Sequence, residues 1–286
     1  MKNRLPGWFR QEIPDAAALE RARLLSISGI HTVCQEARCP NWGYCFKNRK
    51  VTFMILGDTC TRNCRFCAVA KSPAQKKLFL DPDEPLRVAD AVDKFGSDYV
   101  VITSVTRDDL ADGGAEIFAK TIKLIQALNK GIKIEVLIPD FEGSALSLRQ
   151  VLNASPDVVA HNIETVRRLC AELRPLAFYA RSLELLRRIK EFNPRQITKS
   201  SLMLGLGERE EEILQTMKDL RDSRLDILTL GQYLAPTSAH YPVKEFISRE
   251  TFRKYHDLGI DLGFKAVLSG PLARSSYEAE KLYASV

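Results

Sequence analysis

The 286-residue sequence contains no apolar run near the roughly 18 residues that a membrane span needs. Its opening stretch, MKNRLPGWFRQEIPD, lacks the apolar core of a secretory signal and the Arg/Ser richness of a transit peptide. Low-complexity tracts, sequence repeats and extended Lys/Arg blocks are missing too. These absences lead to the expectation of a cytoplasmic protein with no membrane and no nucleic-acid role. Cysteine is scarce over most of the chain: residues 68–286 hold one, Cys170. That scarcity excludes the evenly spread disulfide framework of a small secreted domain. Charge is also uneven. Residues 1–77 carry 14 Lys/Arg and 5 Asp/Glu, a net of +9, and the remainder nets −3. Scattered basic residues in the first third fit docking of an acidic protein, or neutralisation of nearby thiolates, better than a nucleic-acid patch.

What is present is concentrated. Six of the seven cysteines lie in CQEARCPNWGYCFKNRKVTFMILGDTCTRNCRFC, as the triplets Cys34/Cys39/Cys45 and Cys60/Cys64/Cys67. Around and after them the chain alternates short β-branched runs with stretches of helical period. Strands are expected at 51–58, 99–105, 133–139, 158–163, 198–204 and 227–233, with a short extra one at 265–268. Helices are expected at 88–94, 115–129, 146–152, 183–191, 208–221 and 250–259. This rhythm implies βαβ units and a parallel sheet. Six units are too few for a full eight-stranded barrel, so the expected fold is α/β, a partial (βα)6 TIM-type barrel, with a doubly wound sheet as the structural alternative. In both, chemistry belongs at the C-terminal strand ends. Polar residues follow the strands there: Asp58 and Thr59; Thr106 to Asp109 and Gly113-Gly114; Asn162 and Glu164; Gly205 to Glu208; Gln232 and Tyr233.

Structural zinc takes four protein ligands, often from paired C-x2-C knuckles. Three cysteines spaced C-x3-C-x2-C, with no histidine near, suit instead a cubane iron–sulfur cluster with one iron left open. With Phe66 just before the last cysteine and the motif just after the first strand, this resembles the radical S-adenosylmethionine superfamily. Further stretches narrow the resemblance: Cys39-Pro-Asn-Trp-Gly-Tyr-Cys45, Thr103-Ser-Val-Thr-Arg-Asp-Asp-Leu-Ala-Asp-Gly-Gly114, His161-Asn-Ile-Glu-Thr-Val166, Lys199-Ser-Ser-Leu-Met-Leu-Gly-Leu-Gly-Glu208, Gly231-Gln-Tyr-Leu-Ala-Pro-Thr237 and Arg274-Ser-Ser-Tyr277. Together they resemble the lipoyl synthase family over residues 30 to 283.

The resemblance implies two 4Fe–4S clusters and S-adenosylmethionine. Cys60, Cys64 and Cys67 would hold the cluster whose open iron meets S-adenosylmethionine. Cys34, Cys39 and Cys45, with Ser276 (or Ser275) as fourth ligand, would hold an auxiliary cluster consumed as sulfur donor. Deoxyadenosyl radicals would abstract hydrogen at carbons 6 and 8 of an octanoyl-lysine on a lipoyl carrier (H protein or E2 lipoyl domain), and two sulfurs would enter. Thr103, Gly113, Gly114, Asn162, Glu164, Arg174 and Lys199 are the expected S-adenosylmethionine contacts, Arg174 by a bidentate pair with the carboxylate. Gly113-Gly114 could equally just start the next helix. A ferredoxin or flavodoxin-type electron donor and an iron–sulfur cluster carrier complete the expected partners. The chain then divides into an N-terminal extension with the auxiliary-cluster cysteines (1–50), the radical body (51–240) and a C-terminal segment (241–286) that closes the barrel and supplies the serine. Cys170 is read as a packed thiol. Chains resembling biotin synthase lack the first triplet, methylthiotransferases carry a separate N-terminal domain, and a simple cluster carrier or zinc module would not need six polar strand ends.

Overall fold

The computed structural model describes residues 5–11, 13–72, 78–128 and 130–286. Helix α1 (Ala16–Ile27) comes first, capped by the Asp15 carboxylate on the Ala18 amide, and leads into the two-residue strand β1 (His31–Thr32). Two short helices follow, α2 (Val33–Glu36) and α3 (Trp42–Lys47), before β2 (Thr52–Ile55). Among the described residues the small strands β3 (Thr59–Cys60) and β4 (Ala70–Lys71) pair only with each other.

From there strand and helix alternate: α4 (Glu84–Phe95), β5 (Tyr99–Ser104), α5 (Ala115–Gln126), β6 (Lys133–Leu137), α6 (Ala145–Leu152), β7 (Val158–Ala160), α7 (Arg167–Leu173), α8 (Tyr179–Phe192), β8 (Ile197–Leu204), α9 (Glu210–Asp222), β9 (Ile227–Gln232), α10 (Arg249–Asp261), β10 (Ala266–Gly270) and α11 (Ala279–Ala284). Local chemistry accounts for the boundaries. In α4, Pro85 sits in the first turn and Gly96 ends the helix in left-handed conformation, φ 65°. Helices α6 and α10 are capped by Ser144 and Ser248.

The eight-stranded sheet runs β1-β2-β5-β6-β7-β8-β9-β10. Every pairing is parallel except β1 with β2. Its strands are buried almost throughout, as expected of a parallel sheet covered on both faces. The order follows the chain without the reversal of a doubly wound sheet, which removes that alternative. All six expected strands are present, and the short extra strand is a full seventh parallel member, β10.

Several elements were not legible in the sequence. Helix α1 buries only Ala18, Ala22 and Leu25 on a narrow stripe, so its apolar period is weak, although its Asp15 cap could have flagged it. Helix α7 is seven residues long, and α11 starts from Glu278 in left-handed conformation, φ 51°, which no capping pattern announces. Asn129, the expected end of α5, lies outside the described residues.

Residues after β10 turn back along the sheet. Leu282 on α11 packs with Ile227 and Ala266, at the starts of β9 and β10. Tyr283 meets Tyr99, at the start of β5, with ring centroids 5.8 Å apart. No helix among the described residues is long and apolar enough to cross a membrane.

Candidate functional site

The second triplet sits on a loop pinched shut at its base. Thr59 pairs with Ala70 and Cys60 with Lys71, and the Ser72 amide donates to the Cys60 carbonyl at 2.9 Å. Between these points the loop is fastened to the C-terminal strand ends. The Thr61 amide and hydroxyl both donate to the Thr106 carbonyl, just past β5, at 3.0 and 2.9 Å. The Arg65 amide donates to the Leu173 carbonyl at the end of α7.

The strongest staple is Arg62, buried inside the motif. Its guanidinium grips Asp108 through two hydrogen bonds of 2.8 and 2.9 Å and donates to Asp140 at 2.6 Å. Burial alone would raise the Asp140 carboxyl, but the hydrogen bond and charge of Arg62 outweigh it and hold the group down to about 2. Two amides, of Arg62 and Thr106, point at the Cys60 sulfur from 3.4 and 3.3 Å.

Cys60, Cys64 and Cys67 are electrostatic neighbours, and Glu164 and Arg174 share their surroundings. Burial pushes the Cys64 thiol up to about 12 against the pull of Arg174, and raises Cys67 likewise. Glu164 lies just beyond β7 at φ 65°, a strained backbone for a non-glycine residue. Two backbone bonds hold it there: its amide donates to the Ser201 carbonyl, and the Met203 amide donates to its own carbonyl. Asn162 donates to its carboxylate at 3.0 Å. Arg174 is buried and donates one terminal nitrogen to the Ile163 carbonyl at 2.9 Å. Its Nε is buried without a hydrogen-bond partner among the described residues. A buried, unsatisfied guanidinium nitrogen costs free energy unless a ligand answers it.

The first triplet is built differently. Cys34 lies on α2, Cys45 on α3, and the Cys39 amide donates to the Cys34 carbonyl at 3.1 Å. Burial first, then the charge of Cys39, lifts the Cys34 thiol to about 12, and burial with both partners raises Cys45 further.

This triplet meets the C-terminal segment. Asn41 donates to the Leu272 carbonyl at 2.7 Å. Tyr44 and Tyr277 pack with ring centroids 5.8 Å apart, Lys50 pairs with Glu280, and the half-buried Arg274 feels the charge of Cys39. Gly231 admits the segment: a Cβ there would lie 2.1 Å from the Ala273 carbonyl oxygen. The Ser275 hydroxyl donates to the Asn162 side-chain oxygen at 3.0 Å. Half-buried Ser276 has no hydrogen-bond partner among the described residues. A cavity of about 400 Å³, lined by Cys34, Cys39, Arg38 and Trp42, opens beside the triplet.

Among the described residues no three His, Cys, Asp or Glu side chains converge closely enough to hold one metal ion. A cubane makes a different demand: each cysteine binds its own iron, so the thiols surround a larger body. Each triplet offers desolvated thiols that repel one another once ionised, a state that iron charge sustains. Beside the second triplet, the partnerless Arg174 Nε and the strained Glu164 fit a ligand carrying both a carboxylate and an amino group.

Not every expected contact is free for such a ligand. The Thr103 hydroxyl donates to the Leu137 carbonyl at 2.8 Å. Lys199 is not at the strand-end cleft. It lies near the start of β8, fully buried, with its ammonium 3.0 Å from both oxygens of Glu135, which also accepts from Tyr99. The sequence placed it by its motif, but burial of a lysine demanded a carboxylate, and Glu135 on the expected strand at 133–139 supplies it. Gly113 and Gly114 have packing reasons: a Cβ would lie 2.9 Å from Phe141 and 2.2 Å from Leu56, and both φ angles are positive. Cys170 is buried, as expected, with its thiol 3.6 Å from the Ala177 carbonyl. Arg62 and Asp140 went unnoticed in the sequence, and Ser275 was weighed there only as an alternative cluster ligand, not as a partner of Asn162. An arginine inside the cysteine motif was the one available signal for the first.

Comparison with known proteins follows the same lines. The model of the radical SAM superfamily matches residues 54–220. Lipoyl synthase from Caldanaerobacter subterraneus subsp. tengcongensis is 51% identical over 280 residues, covering 98% of this chain and 97% of that protein. Lipoyl synthase from Thermus thermophilus is 49% identical over 280 residues, covering 97% and 86%. Among solved structures, HydG, a maturase of the [FeFe]-hydrogenase, superposes with a TM-score of 0.58 at 16% identity, over 80% of this chain and 53% of that one. Methylornithine synthase (PylB) gives 0.53 at 13% identity, over 74% and 68%. At such identities these structures speak for the fold alone.

Proposed function

Because the chain belongs to the lipoyl synthase family of the radical S-adenosylmethionine superfamily, we propose an assignment of its two cysteine triplets to the two halves of that family's reaction. The reaction inserts two sulfur atoms, at carbons 6 and 8, into an octanoyl chain carried on a lysine of a lipoyl carrier protein. When bound, two 4Fe–4S clusters and S-adenosylmethionine supply the electron, the hydrogen-abstracting radical and the sulfur. The protein's own residues bind, orient and shield.

Cys60, Cys64 and Cys67 hold the cluster that meets S-adenosylmethionine. Arg174 offers its unpaired Nε to the methionine carboxylate, and Glu164 and Asn162 face the amino group and ribose. Thr103 and Lys199 drop out, since the side chain of each is committed to a neighbour, whereas at Gly113 and Gly114 packing against Phe141 and Leu56 explains the residue type alone. Cys34, Cys39 and Cys45 hold the sulfur-donating cluster, with Ser276 as fourth ligand. The observation that carries the reading is the Arg274–Tyr277 stretch. Arg274 and Tyr277 lie beside the first triplet, and Ser275 between them reaches Asn162, beside the second. Since Ser275 is engaged there, Ser276 is the serine left for iron. A hydroxyl oxygen is a hard, weak donor among thiolates, which suits a cluster that must come apart.

In this reading the parallel sheet is an open, partial (βα)6 barrel. Residues 1–50 bring the first triplet, 51–240 form the body, and 241–286 cover the gap between the edge strands. The basic first third, net +9 over residues 1–77, would receive an acidic ferredoxin or flavodoxin-type donor. The cavity beside Cys34 and Cys39 would admit a replacement cluster from an iron–sulfur carrier.

An anaerobic assay on an octanoyl-lysine peptide with S-adenosylmethionine and reductant tests the reading by mass spectrometry. Two sulfurs should be gained, with no net hydrogen lost while the reductant keeps the product as the dithiol and two lost once it is oxidised to the cyclic disulfide. Ser276→Ala should cleave S-adenosylmethionine yet form no lipoyl group. If Ser276→Ala makes full product while Ser275→Ala makes none, the serine assignment is reversed.

A further inference from the structure

The hydrogen bond from Ser275 to Asn162 joins two sites that the chain builds separately. It spans 113 residues. Among the described residues it is the one hydrogen bond by which residues 271–278 touch the surroundings of Cys60, Cys64 and Cys67. The neighbours of Ser275 face the other way: Arg274 toward Cys39, Tyr277 toward Tyr44 and Cys45. Asn162 is bound on both ends of its carboxamide. Its oxygen accepts from Ser275, and its nitrogen donates to the Glu164 carboxylate. The carboxamide orientation, and with it the Glu164 carboxylate, therefore depends on where the C-terminal segment holds Ser275.

Resting on the assignment above, we propose that Ser275 is a positioning residue that ties the affinity for S-adenosylmethionine to the presence of the sulfur-donating cluster. With Ser276 on that cluster, the peptide backbone fixes Ser275 one residue away, and its hydroxyl sets Asn162. Once the cluster is spent and Ser276 is released, Asn162 loses that donor and the S-adenosylmethionine site loosens. The chain thereby avoids spending S-adenosylmethionine when no sulfur is available. Linkage requires the converse too: bound S-adenosylmethionine strengthens retention of the cluster by the same factor.

The test is equilibrium dialysis of S-adenosylmethionine, without reductant, against full-length protein with and without the auxiliary cluster. The cluster-free state is Cys39→Ala, checked by iron content of about four per chain against about eight. Losing the cluster should weaken S-adenosylmethionine about 3- to 10-fold in otherwise wild-type protein, the worth of one neutral hydrogen bond. Ser275→Ala should keep all its iron, bind weakly in both states and show no cluster dependence. Ser275→Thr should restore the dependence. Under turnover, Ser275→Ala should release more 5′-deoxyadenosine per lipoyl group formed, which a purely structural defect would not do. Unchanged cluster dependence in Ser275→Ala overturns the proposal, and so does loss of half its iron, which would make Ser275 itself the ligand. Asn162→Ala separates the two levels of the argument. It should weaken binding in both cluster states. If its affinity is wild type, the placement of Asn162 at the S-adenosylmethionine site is wrong, and the coupling falls with it.

Discussion

The two triplets are both three-cysteine sites at the edge of one sheet, but they are held in opposite ways. Cys60, Cys64 and Cys67 sit on a closed loop that Arg62 pins to Asp108 and Asp140 and that backbone bonds fasten to the residues after β5 and α7. Cys34 and Cys45 sit on two short helices with Cys39 in the turn between them, and much of what covers them arrives from the far end of the chain: Leu272, Arg274, Tyr277 and Glu280. The first arrangement is a rigid fixture belonging to the sheet. The second is a clasp between two chain ends. A site that keeps its cluster through many turnovers benefits from the fixture, and one whose cluster is consumed benefits from a clasp that opens.

The largest test of that contrast is to delete one cysteine from each. Cys64→Ala should abolish 5′-deoxyadenosine formation altogether. Cys39→Ala should leave it measurable while lipoyl product disappears. Quantifying both products by mass spectrometry decides it, and lipoyl product from Cys39→Ala would break the contrast.

The next test attacks the fixture. Arg62→Met leaves Asp140 buried without its main cation. Breaking a buried pair from one side costs about 3–5 kcal/mol. Denaturant unfolding should show a loss of that order. Iron analysis should show the second triplet emptied first, with the first triplet still loaded. Simultaneous loss of both clusters would mean that the two sites are not held independently.

A pH window separates the sites further. His161 is buried behind the end of β7. Its Nδ1 faces the Ile138 carbonyl, which can only accept, so that nitrogen carries the proton and Nε2 accepts from the Ser182 hydroxyl. Burial, and then the charge of Arg174, pushes the ring down to about 4. The folded value is below the unfolded value of about 6.5, so the contribution to stability is complete above the unfolded value. It is lost as pH falls from about 6.5 through 4, amounting to about 1 kcal/mol at pH 5.5. Wild type minus His161→Gln, by denaturant unfolding at pH 7.5 and 5.5, should show this difference shrinking in acid. A constant difference would show that burial of neutral His161 contributes no such pH-dependent stability.

The contrast also marks where sequence reading works. The cysteine triplets stood out because iron ligation would constrain residue type and separation, and the strands were legible because a parallel sheet buries β-branched runs on both faces. Lys199 misled because a motif records which residues occur together, not which cavity each side chain enters; its partner Glu135 lies 64 positions away. Ser275 and Ser276 were indistinguishable as letters. They part only once the fold brings Asn162 within 3.0 Å of one of them. Arg62 was hidden by its own neighbours, since in a cysteine motif the intervening residues read as spacers.

The smallest expected effect belongs to the clasp. Tyr44 and Tyr277 pack tilted at 43°. An aromatic pair of this kind adds about 0.5–1.5 kcal/mol beyond simple burial. Tyr277→Leu keeps apolar bulk and removes the ring contact, so global stability should fall by no more than that. Its consequence should be local. If the C-terminal segment holds Ser276 on the cluster, Tyr277→Leu should speed loss of iron from the first triplet to a chelator about 2- to 10-fold, on that same pair energy converted to a rate. Iron at the second triplet should leave at the wild-type rate, because its loop is pinned by Arg62 and, among the described residues, takes no direct hydrogen bond from residues 271–286. Chelator kinetics under anaerobic conditions would resolve the two populations. Equal acceleration of both would show that the segment braces the whole strand-end edge rather than one site, and the division into fixture and clasp would fail at its most sensitive point.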